Sequence, residues 1–359
     1  MRVVHVHRMR GIGGSERHLL TLLPALATRG LDVSFIGIDA ESDEADAFYA
    51  ALDVPFTRVA SRNGVSPRVV SELRRRRADV VHTHLVHADL HGPLAGAVVV
   101  STKHNDDRFR TGAFRFVERA LTRRVARVIC ITHALKRFNV ERVGLPEAKL
   151  DVVHYGLDAV PPAWGVNPSD DVPAGARVLL AISRLVPQKG IVVAIDALPR
   201  IREGVLVVLG EGPEREALEE RALVRGVAER VFLPGRAGDV MPWLRRAEVF
   251  VHPARWEGFG LVVLEAMLAS LPVVASRVSS LPEIVADGET GFLVAAERAD
   301  AFADAVNRTL DDRDLARRLG DAGLRRARAE FSVAKMADAT VAVYEKAVWT
   351  TASAHDSTE

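Results

Sequence analysis

The sequence has few of the features that mark exported, membrane-spanning or nucleic-acid-binding proteins. Cys130 is the only cysteine among 359 residues, which excludes an internal disulfide and favours a reducing, cytoplasmic location. The N-terminus has no apolar run long enough for a signal peptide, and the longest uncharged apolar stretch, at 94–100, is far below the roughly 20 residues that span a bilayer. Lys and Arg (48) balance Asp and Glu (47), so no general nucleic-acid partner is expected.

A strand–helix rhythm occurs twice along the chain. Short β-branched runs recur at 3–7, 33–38, 80–84, 98–102 and 128–131, and again at 178–183, 205–209, 231–233, 249–252, 272–275 and 291–294. Helical-period segments separate the runs, which is typical of parallel sheets in α/β proteins. We therefore predict two doubly wound, Rossmann-like domains, at 1–160 and 161–330, joined by a linker rich in proline and glycine within 155–176. A helix at 331–348 and a disordered tail at 349–359 are predicted to follow.

A glycine-rich turn follows the first predicted strand. Gly13 and Gly14 open a helical segment, where glycine lets the backbone approach a ligand and free N–H groups can face an anion. A dinucleotide-binding fingerprint needs a third glycine at the position of Glu16. Asp39 nevertheless ends the second strand, as a ribose-binding acid would, so a nicotinamide-dependent oxidoreductase is disfavoured but stays open. A purely structural turn is the other alternative.

Two cations follow the first strand of the second predicted domain. Arg184 and Lys189 lie at a strand end, just before a helix. A guanidinium can grip a diphosphate in a fork and an ammonium adds a point charge, a combination that stabilises a leaving diphosphate. The segment lacks the Gly-Lys-Ser/Thr of a P-loop, so nucleoside triphosphate hydrolysis is not indicated. Taken alone, such a pair is more often solvated surface charge.

Two carboxylates flank a glycine-rich helix start further along the chain. Glu257 follows a strand, the residues Gly258, Phe259, Gly260 and Leu261 begin a helix whose N–H groups can face phosphate, and Glu265 lies about two turns deeper. A fully helical interval would separate the two acids by roughly 12 Å, the reach from a sugar ring to a nucleotide's ribose. The alternative is one buried structural acid and one exposed loop acid.

Other polar clusters carry weaker signals. His82, His84, His87 and His91 suggest a metal site, but only Asp89 is spaced with them, so none is predicted. Asp312 to Asp314 spells the Asp-x-Asp of metal-dependent sugar transferases, yet it lies between helical patterns and is read as a helix cap. Arginines at 74–77 and between 108 and 127, with Phe109, Phe114 and Phe116, allow a peripheral contact with an anionic membrane, although a solvated face is favoured.

An ordered set of short motifs resembles glycosyltransferase family 4, whose members share the GT-B fold. The motifs run in family order over 11–294 and comprise Gly13-Gly14-Ser15-Glu16-Arg17, Val81-His82-Thr83-His84, Tyr155-Gly156-Leu157-Asp158, Ser183-Arg184 with Lys189-Gly190, Gly210-Glu211-Gly212-Pro213, the Glu257 to Glu265 motif, and Leu281-Pro282-Glu283-Ile284 with Gly288 and Gly291-Phe292. Single pieces are weak signals, but the ordered set is specific.

The resemblance implies a retaining, metal-independent enzyme whose donor binds mainly to the second domain, in a cleft between the two. It implies that Arg184 and Lys189 hold the diphosphate, Glu257 the donor sugar and Glu265 the ribose. It places Gly14 over the phosphates and His84 near the transferred sugar, and it sends the last helix back across the first domain. Glu211 and Arg236 are expected near the base, and Glu16, His104 and Asn105 are candidates on the acceptor side.

The predicted function is thus transfer of a sugar from a UDP- or GDP-type donor to an acceptor hydroxyl, without a cofactor or metal. A catalytically inert nucleotide-sugar-binding protein of the same fold is the main alternative. The complete set Arg184, Lys189, Glu257 and Glu265 argues against it. The acceptor and the donor sugar are not readable from the sequence.

Overall fold

Two parallel β-sheets organise the chain into two units. The computed structural model describes residues 1–9, 11–39, 43–61, 64–106, 108–159, 172–238 and 240–356. Unit 1 comprises Met1–Gly156 and Ser332–Glu359, and unit 2 comprises Leu157–Phe331. The linker predicted within 155–176 lies mostly outside the described residues.

Unit 1 contains a seven-stranded parallel sheet in the order β3-β2-β1-β4-β5-β6-β7. Its strands are β1 (Arg2–Arg8), β2 (Asp32–Asp39), β3 (Phe56–Ala60), β4 (Val80–His84), β5 (Val98–Lys103), β6 (Arg127–Cys130) and β7 (Leu150–Val152). Its helices are α1 (Gly14–Ala27), α2 (Asp43–Ala50), α3 (Pro67–Arg76), α4 (Leu85–Asp89), α5 (Phe114–Arg123) and α6 (His133–Phe138). The five predicted strand runs are present because central parallel strands, buried on both faces, read as β-branched runs.

Unit 2 contains a six-stranded parallel sheet in the order β10-β9-β8-β11-β12-β13. Its strands are β8 (Val178–Ile182), β9 (Val205–Leu209), β10 (Val231–Gly235), β11 (Ala247–His252), β12 (Val273–Ser276) and β13 (Gly291–Val294). Its helices are α7 (Ile191–Ala197), α8 (Arg215–Val224), α9 (Met241–Arg246), α10 (Leu261–Leu268), α11 (Leu281–Ile284), α12 (Ala299–Asp311) and α13 (Arg313–Glu330). Asp312 accepts from the N–H of Leu315 (2.8 Å) and so caps α13, as predicted.

The last helix, α14 (Val333–Asp356), belongs to unit 1. Its buried residues Met336, Ala337 and Tyr344 share one apolar core with Leu19 and Phe35. The disordered tail predicted at 349–359 is wrong as far as Asp356, because the helix continues to that residue. Within these last turns Thr350 Oγ1 donates to the carbonyl of Lys346 (2.7 Å), and Thr351 Oγ1 donates to the carbonyl of Ala347 (2.9 Å). No helix in the described part of the chain is long and apolar enough to cross a membrane.

Candidate active site

The loops after four neighbouring strands of unit 2 lie at the same sheet edge. Because β10, β9, β8 and β11 are adjacent and parallel, their carboxyl ends share that edge. The N–H of Leu185 donates to the carbonyl of Glu211 (2.9 Å), and the N–H of Arg255 donates to the carbonyl of Gln188 (2.8 Å). Backbone hydrogen bonds therefore tie the loop that carries Arg184 and Lys189 to its two neighbours.

Glycine permits this close packing of loops. A Cβ atom at Gly210 would lie 1.9 Å from the carbonyl oxygen of Ser183, and Gly210 has a φ of 151° that other residues rarely adopt. The motif Gly210-Glu211-Gly212-Pro213 is thus required by backbone approach, and its glycines fix the position of the Arg184 loop.

Glu257 lies at the centre of a polar cluster. Its Oε2 accepts from Lys189 Nζ (2.5 Å) and from His252 Nε2 (2.8 Å), and its Oε1 accepts from the N–H of Gly258 (3.1 Å). Lys189 and Glu257 are both largely buried, with side-chain exposures of 14% and 10%. A fixed carboxylate therefore lies beside a fixed ammonium at this edge of the sheet.

Electrostatics keep this cluster in one protonation state near neutral pH. Burial raises the pKa of Glu257, but the charge of Lys189 and the hydrogen bond from His252 outweigh it and bring the pKa to about 2. Burial lowers the pKa of His252, although the hydrogen bond to Glu257 opposes that shift. Since an ionised carboxylate only accepts hydrogen bonds, a neutral His252 donates from Nε2 to Glu257.

The segment from Gly258 to Leu261 is held as a loop that leads into α10. Gly260 has a φ of 105°, a left-handed conformation suited to glycine, and α10 begins at the next residue. The buried Ser280 hydroxyl donates to the carbonyls of Glu257 (3.1 Å) and Phe259 (2.8 Å). The interval between Glu257 and Glu265 is therefore only half helical, in contrast to the fully helical case used to estimate their spacing.

The other predicted donor-side residues surround this cluster in the order of the sheet. Arg184 is exposed after β8, Glu211 is exposed after β9 and pairs with Arg215 (3.5 Å), and Arg236 is exposed after β10. Glu265 is 1% exposed within α10. The described residues give Arg184 no ion pair, so its guanidinium is available to an anion.

The glycine turn of unit 1 caps helix α1. The N–H of Gly13 donates to Glu16 Oε2 (2.9 Å), and His7 Nε2 bonds to Glu16 Oε1 (2.8 Å). Gly13 and Gly14 are exposed, whereas Glu16 is buried. The carboxylate of Glu16 is thus engaged in fixing the turn, and Gly13 and Gly14 provide its open surface.

Several histidines of unit 1 form a buried cluster. His84 Nε2 bonds to His5 Nδ1 (2.9 Å), and His84 Nδ1 bonds to His104 Nε2 (3.0 Å). Both ring nitrogens of His84 are therefore engaged within the protein. Asn105, the next residue after His104, is exposed, and its carbonyl accepts from Arg110 (3.0 Å).

The four histidines whose spacing suggested a metal site do not form one group. His91 Nε2 accepts from the N–H of Ser66 (2.9 Å), while ring nitrogens of His82 and His84 approach those of His5 within 4.8 Å. Among the described residues, neither His87 nor His91 is in that trio. Both ring nitrogens of each histidine in this trio take part in a hydrogen bond.

Asp39, whose strand-end position allowed a nicotinamide-dependent oxidoreductase as an alternative, is bonded to side chains of unit 1. Asp39 is buried and accepts from Tyr49 Oη (2.8 Å) and Arg58 Nε (3.1 Å). These bonds hold the carboxylate inside unit 1, which gives no support to a ribose-binding role.

Sequence reasoning missed two residues that shape the site. His252 is the last residue of β11, five positions before Glu257, and its strand-end position was an available signal. Ser280 lies 23 residues from Glu257, and nothing in the local pattern distinguishes it from other loop serines.

Family models and related proteins agree with this architecture. The glycosyltransferase family 4 model matches residues 12–160, and the glycosyl transferases group 1 model matches residues 168–326. A glycogen synthase of Mycobacterium tuberculosis is 30% identical over 379 residues, covering 93% of this chain and 91% of its own length.

Two further similar proteins are associated with nucleotides, one by its name and the other by its crystallised ligand. A GDP-mannose-dependent phosphatidylinositol monomannoside mannosyltransferase of M. tuberculosis is 41% identical over 158 residues, covering 40% of this chain and 41% of its own. An Anabaena protein crystallised with UDP and glucose superposes with a TM-score of 0.82 at 20% identity, covering 96% of this chain and 99% of that one. The shared fold is GT-B, with two Rossmann-like domains. The chain belongs to glycosyltransferase family 4 and is a glycosyltransferase.

Proposed function

We propose that this enzyme is a retaining, metal-independent glycosyltransferase that moves a hexose or related sugar from a UDP- or GDP-type donor to an acceptor hydroxyl. The observation that carries the proposal is the buried cluster of Lys189, Glu257 and His252 beside the exposed Arg184. It offers two cations to a diphosphate and a fixed carboxylate to sugar hydroxyls within one set of bonded loops.

Each predicted residue has a distinct part in this proposal. Arg184 and Lys189 hold the diphosphate, Glu257 accepts hydrogen bonds from the donor sugar, and Glu265 binds the ribose. The exposed Glu211 and Arg236 contact the nucleotide base, and the N–H groups from Gly258 to Leu261 face the phosphates. In unit 1, Gly13, Gly14 and His84 keep the parts that the family resemblance implies.

Donor binding changes the partners of Lys189. In the structure its ammonium is bonded to Glu257 (2.5 Å). A diphosphate carries more negative charge than one carboxylate, so Lys189 donates some of its N–H groups to the phosphate. Lone pairs of Glu257 then become available to accept from sugar hydroxyls. His252 keeps the carboxylate in place during this exchange.

The proposed bond changes are those that the family resemblance implies. The bond between the anomeric carbon and the diphosphate oxygen breaks, and the acceptor oxygen bonds to the same face of that carbon, so the configuration is retained. The acceptor proton passes to the leaving phosphate, whose growing charge is stabilised by Arg184 and Lys189. No metal or cofactor enters the proposed step.

A thermal-shift screen with UDP, GDP, ADP and TDP and their sugars tests donor binding. At about 100-fold excess over Kd, a ligand that binds the folded state adds about 3 kcal/mol, or roughly 5–10 °C for a unit of this size. We expect one uridine or guanosine diphosphate to give this shift in the presence of EDTA. Loss of the shift in EDTA contradicts metal independence. Binding of a sugar nucleotide that no acceptor extract consumes identifies an inert binding protein instead.

One surface of unit 1 supports a peripheral contact with an anionic membrane, which would bring a lipid-linked acceptor to the enzyme. Phe109, Phe116 and Val117 are 57%, 59% and 44% exposed, and α5 also exposes Arg115, Arg119 and Arg123. Arginine beside exposed aromatic rings suits an anionic leaflet. Two other arginines of the basic set, Arg110 and Arg127, are instead buried in pairs with Glu118 and Asp151.

Vesicle sedimentation tests this surface. Replacing Arg115, Arg119 and Arg123 with Gln should lower partitioning onto phosphatidylserine-containing vesicles roughly 100-fold, because each cation near the surface contributes about 1 kcal/mol. The matched control replaces the exposed Arg313, Arg317 and Arg318 of α13 with Gln. Equal binding of the two triple variants, or no binding by the wild type, contradicts the membrane contact.

A further inference from the structure

A continuous line of hydrogen bonds runs through the interior of unit 1. It joins seven buried side chains in the order Thr102, His82, Tyr344, His5, His84, His104 and Tyr155. The successive distances are 2.6 Å, 2.6 Å, 3.2 Å, 2.9 Å and 3.0 Å as far as His104, which then bonds to Tyr155. The line links strands β1, β4 and β5 to the terminal helix α14.

Each of the four imidazoles uses both ring nitrogens in this line. His82 bonds through Nε2 to Thr102 and through Nδ1 to Tyr344, and His5 bonds through Nε2 to Tyr344 and through Nδ1 to His84. His84 and His104 continue the same alternation. Burial lowers the pKa of all four rings, that of His5 to about 3, so at neutral pH each ring has one N–H and one lone pair.

These facts constrain the tautomers together. A neutral ring with two bonded nitrogens donates once and accepts once, and so does a phenol between two rings. If Thr102 donates to His82, then every ring along the line donates from Nδ1. If Tyr155 donates to His104, then every ring donates from Nε2. At a ring–ring bond, a mixture leaves two donors or two lone pairs facing each other. At Tyr344, it leaves either the buried hydroxyl hydrogen or one ring lone pair without a partner, and each defect is costly in a buried site.

We propose that Tyr344 and His5 are positioning residues that lock His82, His84 and His104 into one shared tautomer, so that the terminal helix couples the state of His82 to that of His84. Rotation of the His84 ring, or a change of its tautomer, then requires rearrangement of the whole line. The part of His84 in sugar transfer rests on the proposed function, whereas the shared tautomer does not.

Nitrogen NMR of the full chain labelled with ¹⁵N-histidine tests the lock. Long-range ¹H–¹⁵N correlations distinguish a protonated Nδ1 from a protonated Nε2, and single His→Gln variants assign the signals. We expect His5, His82, His84 and His104 to show the same tautomer at pH 7.5, either all Nδ1–H or all Nε2–H. Two different tautomers among the four overturn the inference, whatever the activity of the enzyme.

Tyr344→Phe separates the positioning role from a packing role. It removes the link between His82 and His5, so His82 should become independent of the other three rings and its nitrogen shifts should move. His84 keeps both of its ring partners in this variant, so the deciding measurement is the nitrogen shifts of His82 rather than turnover. The matched control is Tyr49→Phe, which removes a buried phenol of unit 1 that bonds to Asp39 outside the line.

The outcomes distinguish the two proposals. Altered His82 shifts in Tyr344→Phe, with unaltered shifts in Tyr49→Phe, support the lock. Unchanged His82 shifts in Tyr344→Phe contradict it. If Tyr344→Phe does not fold, the wild-type tautomers still decide. Failure of every nucleotide to bind the wild type contradicts the proposed function and leaves the tautomer result standing.

Discussion

Replacing Lys189 with Met should lower kcat/KM for sugar transfer about 100- to 1,000-fold, the usual loss when one charged group that stabilises a transition state is removed. The ammonium bonds to Glu257 (2.5 Å) and, in the proposed reaction, to the departing diphosphate. Met keeps the length and apolar packing of the side chain. Steady-state kinetics with the nucleotide sugar found by thermal shift provides the measurement.

Two companion variants make the result interpretable. Glu257→Gln keeps the shape of the side chain and removes its charge. We expect it to lower kcat/KM by a similar factor. Glu248→Gln breaks the Arg177–Glu248 pair (2.8 Å), which involves the first residues of β11, at the edge opposite to His252. It should cost some stability and leave transfer unchanged. Full activity in Lys189→Met, or equal losses in all three variants, contradicts the assigned roles.

The fold could be predicted wherever strands are buried on both faces. Such strands are continuous β-branched runs, and all eleven predicted runs coincide with strands. The structure adds β3 and β7, the two edge strands of the first sheet. Phe56 of β3 is 42% exposed, and β7 has only three residues, so neither produces an apolar run long enough to detect.

The site could be predicted only as far as local motifs reach. Lys189 and Glu257 were found from their strand-end positions, but the ion pair between them joins residues 68 positions apart. The histidines show the same limit. Spacing along the chain grouped His82 and His84 with His87, whereas the sheet register places His5 opposite His82 and α14 supplies Tyr344. Register is a tertiary fact that one sequence does not contain, and the return of the last helix to unit 1 was expected only from the family resemblance.

Lowering the pH from 7.5 to 5.5 should destabilise unit 1 by several kcal/mol. Burial lowers the pKa of five of its histidines, with His5 and His18 at about 3 and His82, His84 and His104 also well below the ordinary value. Below about pH 6.5 the unfolded chain takes up protons that the folded rings refuse, so the free energy of unfolding falls by about 1.4 kcal/mol per ring and pH unit. Five rings give at most roughly 7 kcal/mol at pH 5.5, comparable to the whole stability of a domain.

The pH range of this loss of stability distinguishes it from the protonation of carboxylates. The charged groups around the cluster are Glu16, bonded to His7, and Lys103, paired with Asp89 (2.5 Å) and Glu118 (3.1 Å). Burial raises the pKa of Glu16 and Glu118, but bonds to their basic partners outweigh it and bring each below its usual value, so neither protonates between pH 6.5 and 5.

Urea unfolding at the two pH values, with hydrogen exchange to assign the loss to unit 1, measures the effect. His18→Phe, which removes a ring whose buried Nδ1 has no described partner, should reduce the pH-dependent loss by about 1.4 kcal/mol. Equal stability of the wild type at pH 7.5 and 5.5 would mean that the folded rings accept protons as readily as the unfolded chain, which is incompatible with a neutral buried cluster.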